Sequence, residues 1–303
     1  MRFGLVGTGH WARATHAPAL LATSGVTLAG IWGRDPGRTS SIAAAFDTRA
    51  YDDYDALLDV VDAVAFSVPP DVQAPMAATA ARAGKHLLLE KPIAHDADGA
   101  RSLEAAVLDA GVASVVFFTQ LFRPEVRAWL AECAAAEHPW EGGLALALGS
   151  VQREEGVFST PWRLERDGGL WDLGPHALSM VVPILGPVVS VAAHEDRLGT
   201  VHLVLEHRGG ASSTATVSQA VPSAASTSYA RLWGGSGHTQ LPDRHSPVVE
   251  VLSGAVAELV AAAEPGAAPH PYGVTFGREI VDTLATAQEQ LANVRHTGQM
   301  SAQ

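Results

Sequence analysis

Hydrophobic and polar positions change their rhythm near residue 120. Before it, short unbroken apolar runs alternate with longer mixed segments. The apolar runs are Phe3–Val6, Val26–Trp32, Ala63–Val68, His86–Leu89 and Ser114–Phe118. Two of the mixed segments, Asp71–Ala83 and Asp96–Ala110, are closed by Gly84 and Gly111. Continuous apolar strands separated by helices of roughly 10 to 15 residues predict a parallel sheet covered on both faces. The pattern breaks at Thr119-Gln120-Leu121-Phe122-Arg123-Pro124, and a domain boundary is expected there.

After a helix over Pro124–Ala136, strands dominate. They are read at Leu144–Gln152, Val188–His194, Val201–His207, Ser212–Gln219 and Ser228–Trp233, with turns such as Leu198-Gly199 and Arg208-Gly209-Gly210. Consecutive strands with tight turns predict an antiparallel sheet. Helices are expected over Val248–Ala263 and Val274–Asn293, with a Pro/Ala/Gly-rich loop between them. The expected organisation is α/β: residues 1–120 as a doubly wound parallel-sheet domain, then residues 121–303 as an α+β domain with an open, mainly antiparallel sheet.

Composition narrows the function classes. The chain has 303 residues, 47% hydrophobic and 17% charged, enough apolar material for two well-packed domains. A net charge of −12 argues against non-specific binding to nucleic acid or an anionic membrane. The single cysteine, Cys133, has no intramolecular partner, and its helix-like setting suggests a buried, inert thiol. The first residues enter a strand directly, without a charged leader, and no apolar run approaches the roughly 18 residues of a membrane span. The expectation is a cytoplasmic protein.

The chemistry-bearing stretches fall at strand ends. After the first strand comes Gly7-Thr8-Gly9-His10-Trp11-Ala12, opening a helix. This is G-x-G-x-x-G/A in its meaningful context. Gly7 allows a tight turn, Gly9 lets backbone approach a pyrophosphate, and Ala12 lets the helix pack close. An ordinary glycine turn is the plainer alternative. The second strand ends in Gly33, where NAD-preferring sites usually place an acidic residue, and Arg34 follows. A small residue beside a guanidinium, with Arg38 one turn on, suits a 2′-phosphate and favours NADP over NAD. The alternative makes Arg34 and Arg38 solvated and Asp35 an N-cap before Pro36. Ser67 and Pro69, closing the next strand, are also candidates to line the cofactor.

Gly84-Lys85-His86-Leu87-Leu88-Leu89-Glu90-Lys91-Pro92 is a buried strand running into an acid, an ammonium and a proline that must end it. Ligands of open parallel sheets bind beyond such carboxyl ends. A surface salt bridge is the bland alternative. In the second half, Pro161-Trp162-Arg163 precedes Gly168-Gly169, Asp172 and His176. A helix is expected from about Asp172 to Leu185, with Pro175 in its first turn. Asp172 and His176, four apart, would share one face, a pairing that suits acid–base work or else a capping Asp172 and a packed His176. Trp140, Glu154, Glu155 and Trp171 are further candidates for pocket lining. A metal site from His238, His245 and His270 fits no familiar spacing, and no metal is expected.

Taken in order, Gly7-x-Gly9-x-x-Ala12, Glu90-Lys91-Pro92, Trp162-Arg163 and Gly168-Gly169-x-x-Asp172-x-x-x-His176 resemble the glucose–fructose oxidoreductase / inositol dehydrogenase / MocA (Gfo/Idh/MocA) family. The resemblance implies a Rossmann domain followed by an α/β domain whose sheet commonly serves as the oligomer interface, hence a homodimer or homotetramer. It implies that the Lys91-Pro92 peptide is cis, that Lys91 polarises the reacting oxygen, and that His176 is the general acid/base. Asp172 would orient the substrate or that histidine, and Glu90 would fix Lys91. Trp162 and Arg163 would contact substrate, and NADP or NAD would lie over the carboxyl edge of the sheet. The implied partner is a small sugar, cyclitol or polyol. Gln73 stands where many members have histidine, and residues 119–124 depart from the frequent Asn-Arg-Arg-Phe-like run. Two other outcomes remain within the reading: a redox-neutral enzyme with tightly held cofactor, and a nucleotide-binding sensor without turnover.

Overall fold

The computed structural model describes residues 1–300, with side chains described through 296. The chain divides into two compact units, Met1–Phe122 with His245–Arg278, and Arg123–Arg244 with the residues from Glu279 onward.

The first unit begins with β1 (Arg2–Val6), α1 (Ala17–Ala22), β2 (Thr27–Trp32), α2 (Pro36–Ala45), β3 (Ala50–Tyr51) and α3 (Tyr54–Leu58). It continues with β4 (Ala63–Phe66), α4 (Pro70–Arg82), β5 (His86–Glu90), α5 (Ala97–Ala110) and β6 (Ser114–Phe117). Among the described residues the strands form one six-stranded sheet in the order β3-β2-β1-β4-β5-β6, every pair parallel. β4 and β6 are buried at every position, as the unbroken apolar runs require. Local signals set the helix ends. Asp96 caps α5 by accepting a hydrogen bond from the Gly99 amide, and Gly111 closes it with φ +63°. The order reverses between β1 and β4, so their carboxyl ends define the crevice where ligands of such sheets bind.

The second unit contains α6 (Pro124–Ala134), β7 (Trp140–Leu148), α7 (Pro161–Leu164), α8 (Gly168–Ser179), α9 (Val182–Leu185), β8 (Val188–Glu195), β9 (Val201–His207), β10 (Ser212–Ser218), β11 (Thr227–Gly234) and β12 (Gly237–Gln240). Its sheet runs β12-β11-β7-β10-β9-β8, antiparallel except for the β7–β10 pair. β9 alternates buried and exposed positions throughout, the mark of a sheet packed on one face. α8 packs on β7 and β10.

Two helices finish the chain, α10 (Val248–Ala262) and α11 (Val274–Met300). The return of α10 to the first unit was not anticipated. The expected division assigned residues 121–303 to one domain, yet α10 packs on α1 and β6 of the first unit. The apolar face of α10, including Val251, Leu252, Ala255, Val256 and Leu259, is buried. The expected strand over Leu144–Gln152 lies earlier, at Trp140–Leu148. Among the described residues no helix is long and apolar enough to cross a membrane.

Candidate active site

Within the first unit the glycine loop is closed by backbone bonds from both neighbouring strand ends. The Gly7 amide donates to Trp32 O at 2.9 Å, and the Ser67 amide donates to Val6 O at 2.8 Å. Gly7 has φ +129°, and a Cβ there would stand 2.3 Å from the Ser67 carbonyl oxygen, so only glycine fits. Gly9 has nothing within 4 Å of where its Cβ would be, which leaves open space against its backbone. The chain turns helical at His10, with His10 exposed. A tight glycine turn, an open glycine and a helix start together fit a dinucleotide pyrophosphate.

The start of that helix is not regular: Ala12–His16 is a π-helical segment ahead of α1. In a π-turn, residues five apart come to the same side, which they do not in an α-helix. Trp11 and His16 are five apart, and both reach one oxygen of Glu90. Trp11 Nε1 donates to Glu90 Oε1 at 2.7 Å, and His16 Nε2 lies 2.8 Å from the same oxygen. His16 is fully buried. The carboxylate expected to fix Lys91 is therefore anchored to the helix that follows the glycine loop. Lys91 itself is 9% exposed. The Lys91-Pro92 peptide is cis.

At the end of β2 the missing acid has a packing cause. A Cβ at Gly33 would meet Thr8 Cγ2 at 2.5 Å and Thr39 Oγ1 at 2.9 Å. Thr8 of the glycine loop thus occupies the room a side chain at 33 would need. Asp35 is the N-cap of α2, accepting from the Arg38 amide at 3.0 Å, with Pro36 at the first helical position. Arg34 and Arg38 are exposed. Arg38 Nε lies 3.6 Å from Asp35 Oδ2, whereas Arg34 makes no hydrogen bond or ion pair with another described residue.

Within the second unit, Asp172 and His176 lie one turn apart on α8. The helix begins earlier than expected, at Gly168, because that glycine packs against the Arg163 carbonyl, where a Cβ would stand 2.2 Å from the oxygen. Pro175 consequently lies inside the helix instead of in its first turn, and the helix ends at Ser179. Asp172 is buried and His176 half-buried. Asp172 Oδ2 is 3.1 Å from Arg163 Nε and accepts a short hydrogen bond from Gln219 Nε2. The Arg163 guanidinium stacks 4.4 Å over the Trp162 ring and also donates to Thr160 Oγ1. Lys91, Glu90 and the glycine loop are thus assembled in one unit, and Trp162, Arg163, Asp172 and His176 in the other.

Other expectations resolve differently. Trp171 is 1% exposed and belongs to the core. Trp140 donates to Cys133 O on α6, and Glu154 accepts from the Ser223 amide. Burial pushes the Cys133 thiol up to about 11, which fits an inert cysteine. His270 pairs with Glu258 at 2.6 Å and stacks on Phe122. Gln219, at the end of β10, was read only as a strand terminus. It is 2% exposed, and a Cβ at Gly149 would press within 2.6 Å of its side-chain oxygen, so small residues around it were the available signal.

The comparisons with known proteins agree with this picture. Residues 1–118 match the sequence model of the oxidoreductase family with an NAD-binding Rossmann fold, Gfo/Idh/MocA. A dTDP-3,4-didehydro-2,6-dideoxy-alpha-D-glucose 3-reductase of Streptomyces antibioticus is 28% identical over 277 residues, 83% of this chain and 80% of the relative. An inositol 2-dehydrogenase of Rhizobium meliloti is 33% identical over 130 residues, but this covers only 42% of the chain and 39% of that relative. Among solved structures, GenD2 from gentamicin A biosynthesis in complex with NAD superposes with a TM-score of 0.81 at 22% identity, covering 96% of this chain and 94% of that one. Fold and glycine loop define an oxidoreductase with an NAD(P)-binding Rossmann domain. Within that class, residues 1–118 match the Gfo/Idh/MocA family, and the relatives similar to the chain include a sugar reductase and a cyclitol dehydrogenase.

Proposed function

We propose that the protein is an NADP-preferring dehydrogenase or reductase that moves a hydride between the nicotinamide and a secondary alcohol or ketone of a sugar, cyclitol or related polyol. The observation that carries the reading is the tie between Glu90, which immediately precedes the buried Lys91, and Trp11 of the glycine-loop helix. It fastens a strand-end ammonium to the nucleotide-binding element.

When bound, the nicotinamide supplies the hydride acceptor or donor. Lys91 contacts the reacting oxygen and stabilises the negative charge that develops there. His176 takes the hydroxyl proton in oxidation and returns it in reduction. Asp172 orients the substrate or the imidazole, held in place by Arg163 and Gln219. Trp162 and Arg163 line the sugar site. Arg34, exposed beside a glycine and without a partner among the described residues, binds the 2′-phosphate. The names of the relatives support sugars and cyclitols as substrates.

Titration with NADPH and NADH, followed by nicotinamide fluorescence, tests the cofactor reading. NADPH binding at least about tenfold tighter supports it, and tighter NADH binding rejects it. Assay with inositol and simple pyranoses under the preferred cofactor tests the substrate class. Nucleotide retained through purification, with substrate conversion but no net absorbance change, would instead indicate a redox-neutral cycle. The exposed face of the second sheet, including Val189 and Val204, is the proposed homo-oligomer surface, and sedimentation as a monomer would reject it.

A further inference from the structure

In the first sheet, β4 is shorter than its neighbour needs. It pairs with β5 only from Ala63↔His86 to Ala65↔Leu88. Alternate residues of a parallel strand turn both backbone groups to the same neighbour. The His86 amide donates towards β4, to Asp62 O, and the Leu87 amide towards β6, to Ala113 O. By the same alternation, Glu90 faces the β4 side. There β4 has already ended at Phe66, and its pairing with β5 stops at Ala65↔Leu88.

The gap is filled by one side chain. Gln73, in the first turn of α4, is fully buried. Its Oε1 accepts the Glu90 amide at 2.8 Å, and its Nε2 donates to Glu90 O at 2.8 Å. The same Nε2 reaches Pro92 O at 3.2 Å and Ile93 O at 3.4 Å. A carboxamide is a peptide group in miniature, with donor and acceptor side by side. Gln73 therefore acts as the missing β4 peptide and extends the ladder by the residue that precedes Lys91.

We propose that Gln73 is the positioning residue for Lys91, setting the course of the Glu90–Ile93 turn and so the aim of the lysine, with little bearing on nucleotide affinity. The inference rests on the reading of Lys91 as the group that contacts the reacting oxygen. Glu90 is held twice, through its backbone by Gln73 and through its carboxylate by Trp11 and His16. Only the second hold involves the glycine-loop helix, so the two separate by mutation.

The test compares wild type with Gln73→Met, which keeps volume and removes every hydrogen bond. Gln73→Asn accompanies it, keeping the amide one methylene short. Amide hydrogen exchange is followed in the peptide spanning residues 86–94, NADPH affinity by fluorescence, and kcat and KM with inositol or whichever simple sugar the wild type oxidises. The expected result is exchange at the Glu90 amide faster by about tenfold or more. NADPH affinity should stay within about threefold and kcat should fall about tenfold or more. Should Gln73→Met fail to fold, Gln73→Asn carries the same expectations. Wild-type exchange in a folded variant overturns the clamp. Unchanged kcat overturns the positioning role if Lys91→Met, measured alongside, is inactive. If Lys91→Met is fully active, the lysine reading has failed instead. Proportional loss of nucleotide affinity and kcat would mark Gln73 as merely structural and overturn the proposal.

Discussion

The imidazole of His16 and the carboxylate of Glu90 meet at 2.8 Å inside the first unit, joining the helix after the glycine loop to the strand end that carries Lys91. An ionised carboxylate only accepts, so Nε2 of His16 carries the proton. The same oxygen takes the Trp11 indole N–H. The geometry depends on the π-turn, which brings positions 11 and 16 to one side.

Removing the shared acceptor should therefore be costly. Glu90→Ala leaves two buried or half-buried N–H donors without their partner, at about 1–3 kcal/mol each. Urea denaturation should show a loss of about 2–6 kcal/mol. Glu90→Gln retains an accepting oxygen and should lose less. Equal stability of Glu90→Ala and wild type would mean that these bonds do not matter.

Arg34 supplies a prediction about cofactor choice. A charge-assisted contact to phosphate contributes about 1.5–3 kcal/mol. Arg34→Ala should weaken NADPH binding about tenfold to a hundredfold and leave NADH binding within about twofold. Equal weakening of both nucleotides would remove Arg34 from 2′-phosphate recognition.

Gln219 holds the Asp172 carboxylate together with Arg163. Gln219→Leu removes one of the groups that hold the Asp172 carboxylate and loosens its orientation. Turnover should fall about tenfold or more while NADPH affinity is unchanged, because Gln219 belongs to the unit that lacks the glycine loop. A fall in nucleotide affinity would contradict this assignment.

Two groups predict the shape of acid unfolding. His207, buried against Gly186 O and Ser213, has its pKa lowered by burial. The unfolded chain therefore protonates this histidine first. Its contribution is complete above the unfolded value of about 6.5 and is lost as pH falls from there towards the folded value. Asp167 also has a lowered pKa. Burial pushes it up, but hydrogen bonds from Arg295 and Gln288 and the charge of Arg295 outweigh that. Its contribution is complete above about 3.9 and disappears below it. Stability measured against pH should decline in two windows, and His207→Gln should shrink the upper one, to which His86, its pKa also lowered by burial, contributes as well. A single acidic transition unaffected by His207→Gln would refute the assignment.

Much of this was legible in the sequence because its signals are local. The unbroken apolar runs before residue 120 could only be buried parallel strands. Gly7 and Gly9 between a strand and a helix carry a backbone requirement, and Asp172 and His176 share a face by spacing alone. What was missed depends on neighbours distant in sequence. Gly33 read as room for a phosphate, but its smallness is demanded by Thr8 and Thr39. Pro175 suggested a helix start, whereas Gly168 begins the helix against the Arg163 carbonyl. Gln73 and Gln219 are polar residues in otherwise ordinary segments, and only the hydrogen bonds that they complete reveal them. The return of α10 to the first sheet left no mark at the expected boundary, since its apolar face fits either unit equally well on periodicity.

The central claim is most directly tested by Lys91→Met, assayed for nicotinamide reduction with inositol and simple sugars beside NADPH binding by fluorescence. The account predicts that nucleotide affinity stays within about threefold while turnover falls about a hundredfold or more, the loss of a cation at the developing oxyanion. Turnover within twofold of wild type would contradict it.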